Sequence, residues 1–392
     1  MKSKYDVVIV GGGPAGSMAA IEISKQGYSV CVLEKDRDIG MPVRCGEAIG
    51  YSGLNQFFKP KNTWIASEIN GAVLVSPDNH HVNVDFKTET GYILNRRIFD
   101  YDLSRIVVES GGEVYTKSYV RDIVMEEGFV KGVIFEYFGE QKKISANLVI
   151  GADGLESRVG RWSGIKTQIR MKDMESCVQY SVANIDLKPN KMIMYIGDKY
   201  APGGYLWIFP KGKGFANIGI GISGKYSKNK SAKSYIDQFL NENYPNVSIL
   251  TTVCGGVPCA KPMTNPIGNG IMLVGDAAHQ INPMTGGGIA SGMKGAQIAG
   301  QIAVEALKKQ DFSKSFLSKY PKKMFKEFGN NHNRFYRIKD AISQLSDNDL
   351  NYIAKKASNV PEDKRSLMNV FKYAVYKKPS LVVDVLKVFA GV

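Results

Sequence analysis

The chain has 392 residues, a formal net charge of +14 and a hydrophobic fraction of 44%. It is long enough for two or three domains with a large core, and its composition is typical of a globular protein. It contains no uninterrupted apolar run of about 18 residues and no charged segment followed by an apolar stretch. We therefore expect neither a membrane span nor a signal peptide.

The cysteines and histidines give no sign of a metal centre. The five cysteines show no C-x-x-C spacing, and only two of the four histidines are adjacent. We expect no disulfide framework, no metal site and a reducing, cytoplasmic setting. The positive charge can attract acidic redox partners, anionic lipid headgroups or nucleic acid, although general lysine richness explains it as well. Because no nucleic-acid motif accompanies the charge, we expect no nucleic-acid partner.

The first motif, KYDVVIVGGGPAGSMAA, occupies residues 4–20. Its β-branched apolar run is typical of a buried parallel strand, and a helix of small residues is predicted from about Pro14. Gly11 permits the tight turn, Gly13 lets the backbone approach a pyrophosphate, and Gly16 lets the helix pack against the strand. The helix N-terminus favours an anion at this place.

A second apolar run covers residues 29–33 and ends at Glu34. A carboxylate at that distance from the glycine turn can accept hydrogen bonds from an adenosine ribose. Strand, glycine turn, helix, strand and terminal acid together predict a dinucleotide site, whereas a glycine turn alone could be merely structural.

The loop of residues 41–48, MPVRCGEA, has a composition that favours packing against a ligand. Cys45 is either a small buried hydrophobe or an active-site thiol. Arg44 either lowers the pKa of that thiol or contacts a phosphate. The residues alone leave these alternatives open.

Several further elements are predicted before the middle of the chain. Residues 71–75 and 81–86 are expected to form antiparallel strands, and residues 99–108 a helix preceded by Arg96 and Arg97. Strands are predicted at residues 113–115, 130–134 and 146–151. Asp153 follows the last of these and could orient ligand groups or hold the neighbouring loop.

A second run of strands follows and suggests an antiparallel sheet inserted into the nucleotide domain. These strands are predicted at residues 177–185, 191–196, 204–210, 214–222 and 248–255. Tyr205, Trp207 and Phe209 alternate along one strand and therefore share one face. They form either an aromatic core face or the wall of an apolar substrate pocket.

The third motif comprises GDAAH at residues 275–279 and PMTGGGI at residues 283–289. Asp276, at the end of a predicted strand, can accept hydrogen bonds from polyol hydroxyls. The amides near Gly287, Gly288 and Ile289 open a helix predicted over residues 288–307 and can face a negatively charged ring edge. Beyond residue 310 the chain is lysine-rich and helical; residues 361–392 suit either an interfacial membrane helix or a helix pair that caps the core.

Three motifs, GGGPAG at residues 11–16, GADG at residues 151–154 and GDAAH at residues 275–279, follow one another in the order seen in the para-hydroxybenzoate-hydroxylase-like FAD flavoproteins, which the chain resembles over residues 4–310. PVRCGE, YLWIFP and PMTGGGI resemble, more narrowly, the geranylgeranyl reductase family and its archaeal-type digeranylgeranylglycerophospholipid reductases, which use FAD to saturate isoprenoid chains of membrane lipids. The resemblance implies an α/β fold. It comprises a Rossmann-type FAD-binding domain (residues 1–70, 96–170 and 265–310), an antiparallel-sheet substrate domain (71–95 and 171–264) and a helical C-terminal region (311–392).

The resemblance also implies site residues. Ala48 stands where the family often has glycine after Cys-Gly-Glu. The resemblance implies that the aromatic strand forms a pocket wall and that Cys45 is an active-site residue. Cys45, or a water that it positions, is our candidate for the group that supplies the proton in the reaction. The implied FAD contacts are Ala15, Glu34, Cys45, Gly46, Ala48, Arg96, Val120, Asp276, Gly288 and Ile289.

We therefore expect an FAD-dependent reductase of isolated carbon–carbon double bonds in geranylgeranyl chains. Its partners would be an isoprenoid lipid, an external electron donor (a nicotinamide, deazaflavin, ferredoxin or quinol) and the cytoplasmic membrane surface. The alternatives are an NAD(P)H- and oxygen-dependent aromatic hydroxylase or halogenase, and a flavin electron carrier without an organic substrate.

Overall fold

The computed structural model describes residues 1–86, 90–365, 373, 375, 379 and 382–389. The strands within these residues are β1 Lys4–Val10, β2 Val30–Leu33, β3 Ala48–Gly50, β4 Ile65–Ile69, β5 Gly71–Val75, β6 His81–Asp85, β7 Gly91–Leu94, β8 Glu113–Tyr115, β9 Ser118–Glu126, β10 Phe129–Tyr137, β11 Glu140–Gly151, β12 Met174–Ala183, β13 Lys191–Ile196, β14 Tyr205–Pro210, β15 Phe215–Ser223, β16 Ser248–Pro258, β17 Ile267–Gly268 and β18 Ile271–Leu273. The α-helices are α1 Pro14–Ser24, α2 Tyr51–Asn55, α3 Arg96–Glu109, α4 Arg158–Trp162, α5 Ala232–Asn243, α6 Ile289–Lys309, α7 Lys314–Leu317, α8 Lys319–Met324, α9 Asn330–Ile342, α10 Asp347–Ser358 and α11 Val382–Phe389.

The first sheet is built around β1 and has the order β17-β18-β11-β1-β2-β8, with β10 and β9 added through β11. β1 runs parallel to β2 and β11, and β11 runs parallel to β18. The carboxyl ends of these strands therefore meet at one edge of the sheet, as in doubly wound α/β folds generally. This edge unites the three motifs, which the chain separates by more than a hundred residues.

Helices α1 and α6 cover this sheet and pack closely because both are rich in small residues. A Cβ built on Gly300 of α6 would lie 2.7 Å from Cβ of Glu22 in α1. The predicted helices near Pro14 and over residues 288–307 are confirmed as α1 and α6. Their common core is apolar and fully buried around Ile9, Ile21 and Ile298.

The second sheet has seven strands in the order β16-β12-β15-β14-β13-β5-β6. The predicted strands at residues 71–75 and 81–86 and the five predicted between residues 177 and 255 are confirmed. All neighbours are antiparallel except β13 and β5, which are parallel. This parallel pair forms because an early hairpin docks on strands from much later in the chain. One face packs under α5 through residues such as Ile218, Ile220 and Phe239. We call the opposite face, which carries Tyr205, Trp207 and Phe209, the inner face.

A small third sheet, β3-β7-β4, lies beside the two large ones. Ala48 pairs with Ile93 and Gly50 with Gly91 in antiparallel register. Residues 91–94 are therefore hydrogen-bonded to the segment that follows the Cys45 loop and not to the seven-stranded sheet. This arrangement attaches the Cys45 loop to the start of α3.

Among the C-terminal helices, α10 packs on the seven-stranded sheet and α11 packs on α9. Ala354 and Ala357 of α10 contact Val82 and Val84 of β6. Val385 of α11 is buried against Ile338 of α9. Much of the predicted amphipathic segment 361–392 lies outside the described residues. None of the helices in the described part of the chain combines the length and apolar character needed to cross a membrane.

Candidate active site

The glycine turn after β1 is shaped by close backbone contacts. Gly11 has a φ of +105°, and a Cβ on it would lie 2.3 Å from the Ala152 carbonyl oxygen. A Cβ on Gly16 would lie 1.9 Å from the Gly11 carbonyl oxygen, whereas a Cβ on Gly13 would meet no atom within 4 Å. Gly11 and Gly16 are therefore needed for packing within the protein, and the backbone at Gly13 is open at the N-terminus of α1.

Glu34 lies at the end of β2, where its carboxylate is held by two backbone amides. The Gly12 N–H donates to Oε2 at 2.8 Å, and the Asp36 N–H donates to Oε1 at 2.9 Å. Each oxygen keeps a further lone pair, so the carboxylate can still accept from a ribose hydroxyl. Ser118 of β9 donates its N–H to the Glu34 carbonyl oxygen at 2.8 Å, which brings β9 to the same place.

Asp276 and the N-terminus of α6 form the opposite wall. A Cβ on Gly275 would lie 3.0 Å from Cβ of Ala15, and one on Gly288 would lie 3.3 Å from Oδ1 of Asp276. The N-termini of α1 and α6 thus converge. Burial raises the pKa of the Asp276 carboxyl, and the positive charge of Arg96 opposes that rise.

The Cys45 loop is held mainly by the buried carboxylate of Glu47. Its Oε1 accepts from the Arg96 N–H at 2.8 Å, and its Oε2 accepts from Nδ2 of Asn217 at 2.6 Å and from the Lys211 ammonium. Gln179 of β12 donates from Nε2 to the Cys45 carbonyl oxygen at 2.8 Å. The loop is therefore fixed to the start of α3 and to the seven-stranded sheet.

The Cys45 thiol is partly buried, and charges of both signs act on it. The Glu47 N–H donates to its Sγ at 3.2 Å. Burial raises the pKa of this thiol, and Arg96 opposes the rise. The sequence suggested that Arg44 could lower this pKa; the arginine whose charge acts on the thiol is Arg96, and the net shift is upward. Cys45 therefore stays protonated at neutral pH.

Arg96 and Arg44 have different surroundings. The Arg96 guanidinium forms a bidentate pair with Asp100, with N–O distances of 2.6 and 2.7 Å. Burial alone lowers the pKa of Arg96, but the Asp100 carboxylate more than offsets it, and the net pKa is raised. Arg44 is exposed, and its Cδ would lie 3.7 Å from a Cβ built on Gly255.

The aromatic strand β14 faces the Cys45 loop. A Cβ on Gly46 would lie 2.9 Å from Cε2 of Phe209 and 3.5 Å from Nε1 of Trp207. Trp207 donates from Nε1 to Oε1 of Gln179 at 3.1 Å. The Tyr205 hydroxyl donates to the carbonyl oxygen of Thr285, next to the glycines that precede α6. The aromatic row thus contacts both the Cys45 loop and the α6 loop.

Cys45, Arg96, Tyr205 and Asp276 lie deep inside the protein, where burial perturbs each pKa. Each nevertheless keeps part of its surface accessible. Arg96 acts electrostatically on both Cys45 and Asp276, and Tyr205 donates a hydrogen bond to Thr285 in the loop before α6. These side chains therefore lie together where the carboxyl edge of the first sheet meets the inner face of the second.

Comparisons with known proteins agree with this geometry. Digeranylgeranylglycerophospholipid reductase 1 of Methanococcoides burtonii is 41% identical over 380 residues, which cover 96% of this chain and 93% of that protein. The digeranylgeranylglycerophospholipid reductase of Methanocella arvoryzae is 38% identical over 98% of this chain and 99% of its own length. The chain belongs to the digeranylgeranylglycerophospholipid reductase family.

Two family models match separate segments of the chain. Residues 9–67 match an NAD(P)-binding Rossmann-like domain, and residues 173–257 match a geranylgeranyl reductase catalytic domain. The second match covers β12 to β16, including the inner face. It contains Gln179, Lys211 and Asn217, whose role no local motif indicates, because their contacts with the Cys45 loop depend on pairing between distant strands.

Solved structures show the same fold. A geranylgeranyl bacteriochlorophyll reductase-like protein of Thermoplasma acidophilum has a TM-score of 0.92 at 35% identity and covers 98% of this chain and 99% of its own. The flavin-dependent brominase Bmp2 has a TM-score of 0.65 at 18% identity, with 96% of this chain and 99% of its own covered, and shows the shared fold alone.

The remaining predicted contacts lie at three different places. Gly287 and Ile289 flank Gly288 at the start of α6, and Ala48 opens β3 after the Cys45 loop. Val120 is buried on β9 opposite Phe135, two residues beyond Ser118. It therefore lies on the Glu34 side of the fold and away from the aromatic row.

Proposed function

We propose that this chain is an FAD-dependent reductase that saturates isolated carbon–carbon double bonds of geranylgeranyl chains in membrane ether lipids or their precursors. The observation that carries the proposal is that the aromatic strand β14 contacts both the Cys45 loop and the loop before α6, where Gly288 adjoins Asp276. The names of its relatives support the substrate class.

The residues at the sheet edge fit FAD. Oδ2 of Asp153 accepts from the Val159 N–H at 3.0 Å, while its buried Oδ1 has no hydrogen-bond partner among the described residues. Such an oxygen and the open backbone at Gly13 both suit a polar ligand. We assign the ribose to Glu34 and the pyrophosphate to the start of α1. We assign the ribityl chain to Asp276, and the pyrimidine edge of the flavin to the Gly287–Ile289 amides.

When bound and reduced, the cofactor supplies the hydride. The protein must do the rest, because an isolated alkene is not polarised and its reduction depends on positioning in a dry pocket. Trp207 and Phe209 provide an apolar wall beside the Cys45 loop. We assign the proton side to Cys45, or to a water that it positions, because its thiol keeps its proton at neutral pH.

We further propose that the protein works at the cytoplasmic face of a membrane and receives electrons from an external donor. Its formal net charge of +14 favours contact with anionic headgroups. Val382, Val383 and Leu386 are exposed on α11 and could enter the headgroup region. A vesicle sedimentation assay with anionic and neutral lipids tests this, and equal binding to both would contradict it.

The central experiment uses purified protein reconstituted with FAD and reduced chemically without oxygen. A geranylgeranylglycerophospholipid is then added and the products are analysed by mass spectrometry. We expect products that gain two hydrogens per step. Protein that takes up flavin but yields no such product, and instead turns over a phenol with oxygen, would overturn the proposal in favour of a hydroxylase.

A further inference from the structure

Gln179 joins the Cys45 loop to the aromatic row through a single side-chain amide. Its Nε2 donates to the Cys45 carbonyl oxygen at 2.8 Å, and its Oε1 accepts from Nε1 of Trp207 at 3.1 Å. Because an indole N–H can only donate and a carbonyl oxygen can only accept, the amide has one possible orientation. Gln179 and Trp207 are both buried, so these hydrogen bonds are largely shielded from water.

The Trp207 end of this bridge is fixed by packing. Its Cζ2 lies 2.2 Å from a Cβ built on Gly219, so the indole occupies the space of the missing side chain. On the loop side, a Cβ built on Gly46 would lie 3.5 Å from Nε1 of Trp207 and 2.9 Å from Cε2 of Phe209. The direction of the Cys45 carbonyl is therefore set by a ring that is held in the seven-stranded sheet.

The same bridge orients the peptide unit between Cys45 and Gly46. This peptide bond is trans, since the cis peptide of the described residues joins Met41 to Pro42. In a trans peptide the C=O and the N–H point in opposite directions. The Cys45 carbonyl points to Gln179 in the sheet, so the Gly46 N–H points away from the sheet.

The Gly46 N–H is an available hydrogen-bond donor. It has no hydrogen-bond partner among the described residues, whereas the next amide, that of Glu47, donates to Sγ of Cys45 at 3.2 Å. A partly buried amide without an acceptor is costly. A ligand with an acceptor atom therefore suits this position.

This N–H is directed to the space that we assign to the flavin. Glu47 spans the loop, because its Oε2 accepts from Asn217 of the sheet and its Oε1 accepts from the Arg96 amide at the start of α3. The side of the loop away from the sheet is thus the side of Arg96. The charge of Arg96 acts on Asp276, which lies beside Gly288 at the start of α6.

We propose that Gln179 is a positioning residue that aims the Gly46 N–H at the ring edge of the flavin and thereby raises the flavin reduction potential. This inference rests on the proposed function. Reduction adds two electrons to the ring, so a fixed amide donor stabilises the reduced form more than the oxidised form. The donor is effective because it is oriented in advance and need not reorganise when the charge develops. The Gln179 bridge supplies that orientation.

The test is the potential of the bound flavin, measured without oxygen by equilibration with a redox dye in the FAD-loaded protein. Gln179→Met keeps the length of the side chain but lacks the amide that joins Cys45 to Trp207. We expect reduced flavin to lose about tenfold in affinity relative to oxidised flavin, which lowers the potential by about 30 mV. Gln238→Met, an exposed change on α5, should leave the potential unchanged.

Gln179→Glu separates the loss of the donor from a change in packing. At acidic pH, where burial keeps the acid protonated, its side chain still donates to the Cys45 carbonyl and accepts from Trp207. We expect its potential there to match the wild type, whereas Gln179→Met, which is equally uncharged, stays low. As the acid ionises at higher pH, the potential of Gln179→Glu should fall relative to the wild type. Equal potentials of the two variants at acidic pH would overturn the inference.

A second readout needs no flavin. In a proton–nitrogen correlation spectrum of flavin-free protein, the Trp207 indole signal should move upfield in Gln179→Met and keep its position in Gln238→Met. That shift marks a broken bridge in a folded protein, and an unchanged flavin potential in such protein would overturn the inference. Wild-type protein that takes up no flavin would overturn the proposed function as well. Lipid reduction by the wild type, together with an unchanged potential in Gln179→Met, would confine the failure to Gln179.

Discussion

Replacement of Glu47 by alanine should loosen the Cys45 loop. Its carboxylate accepts from the Arg96 amide, Asn217 and Lys211. The Glu47 side chain is 5% exposed and that of Lys211 is 20% exposed, so both charges are largely removed from water. Alanine leaves the ammonium and two buried N–H donors without their acceptor.

The size of the effect follows from this burial. Removal of one partner from a buried ion pair costs roughly 3–5 kcal/mol. Because Lys211 keeps some contact with water, we expect the lower end, about 3 kcal/mol of the free energy of unfolding. Glu47→Gln can still accept hydrogen bonds but cannot balance the charge of Lys211, and its loss should be smaller.

The assay is urea unfolding of the flavin-free protein, together with titration of flavin binding by fluorescence. Glu136→Ala is the matched control, since it breaks an exposed pair with Arg121 and should cost under about 1 kcal/mol. We also expect weaker flavin binding in Glu47→Ala, because the loop contacts the start of α3. If Glu47→Ala loses as little stability as Glu136→Ala and binds flavin normally, the reasoning is refuted.

Three further predictions concern single residues. Cys45→Ala should keep flavin binding and reduce turnover in the lipid assay; unchanged turnover would remove the thiol from the mechanism. Gly13→Ala should keep the melting temperature, because the added methyl meets no protein atom, but should weaken flavin affinity, because that methyl would occupy the space proposed for the pyrophosphate. Gly16→Ala should lower the melting temperature, because its methyl would collide with the Gly11 carbonyl oxygen. Burial raises the pKa of Glu175 from its usual 4.5 to about 7, so the fold favours the protonated carboxyl. This preference adds its full amount to the free energy of unfolding below pH 4.5 and is lost as the pH rises through 7. The loss amounts to about 3 kcal/mol, and urea unfolding of Glu175→Gln should lack this pH dependence.

Local patterns were sufficient to predict much of the fold. The glycine turn, α1, α6 and the strands of the seven-stranded sheet all follow from apolar periodicity and turn residues within short stretches. The parallel arrangement of β13 and β5 could not be predicted in this way. It depends on how an early hairpin docks against strands more than a hundred residues later.

The candidate site also combines residues that local motifs predict with contacts that only the tertiary structure reveals. The sequence alone pointed to Cys45, Asp276 and the aromatic strand, because motifs state which side chains are present and in what order. Only the tertiary structure decided that Gln179 and Glu47 hold the Cys45 loop, that Arg96 rather than Arg44 acts on the thiol, and that Glu175 meets Lys339. The physical reason is that hydrogen bonds and charge effects depend on distance and burial, and these arise from strand register and helix docking between segments far apart in the chain.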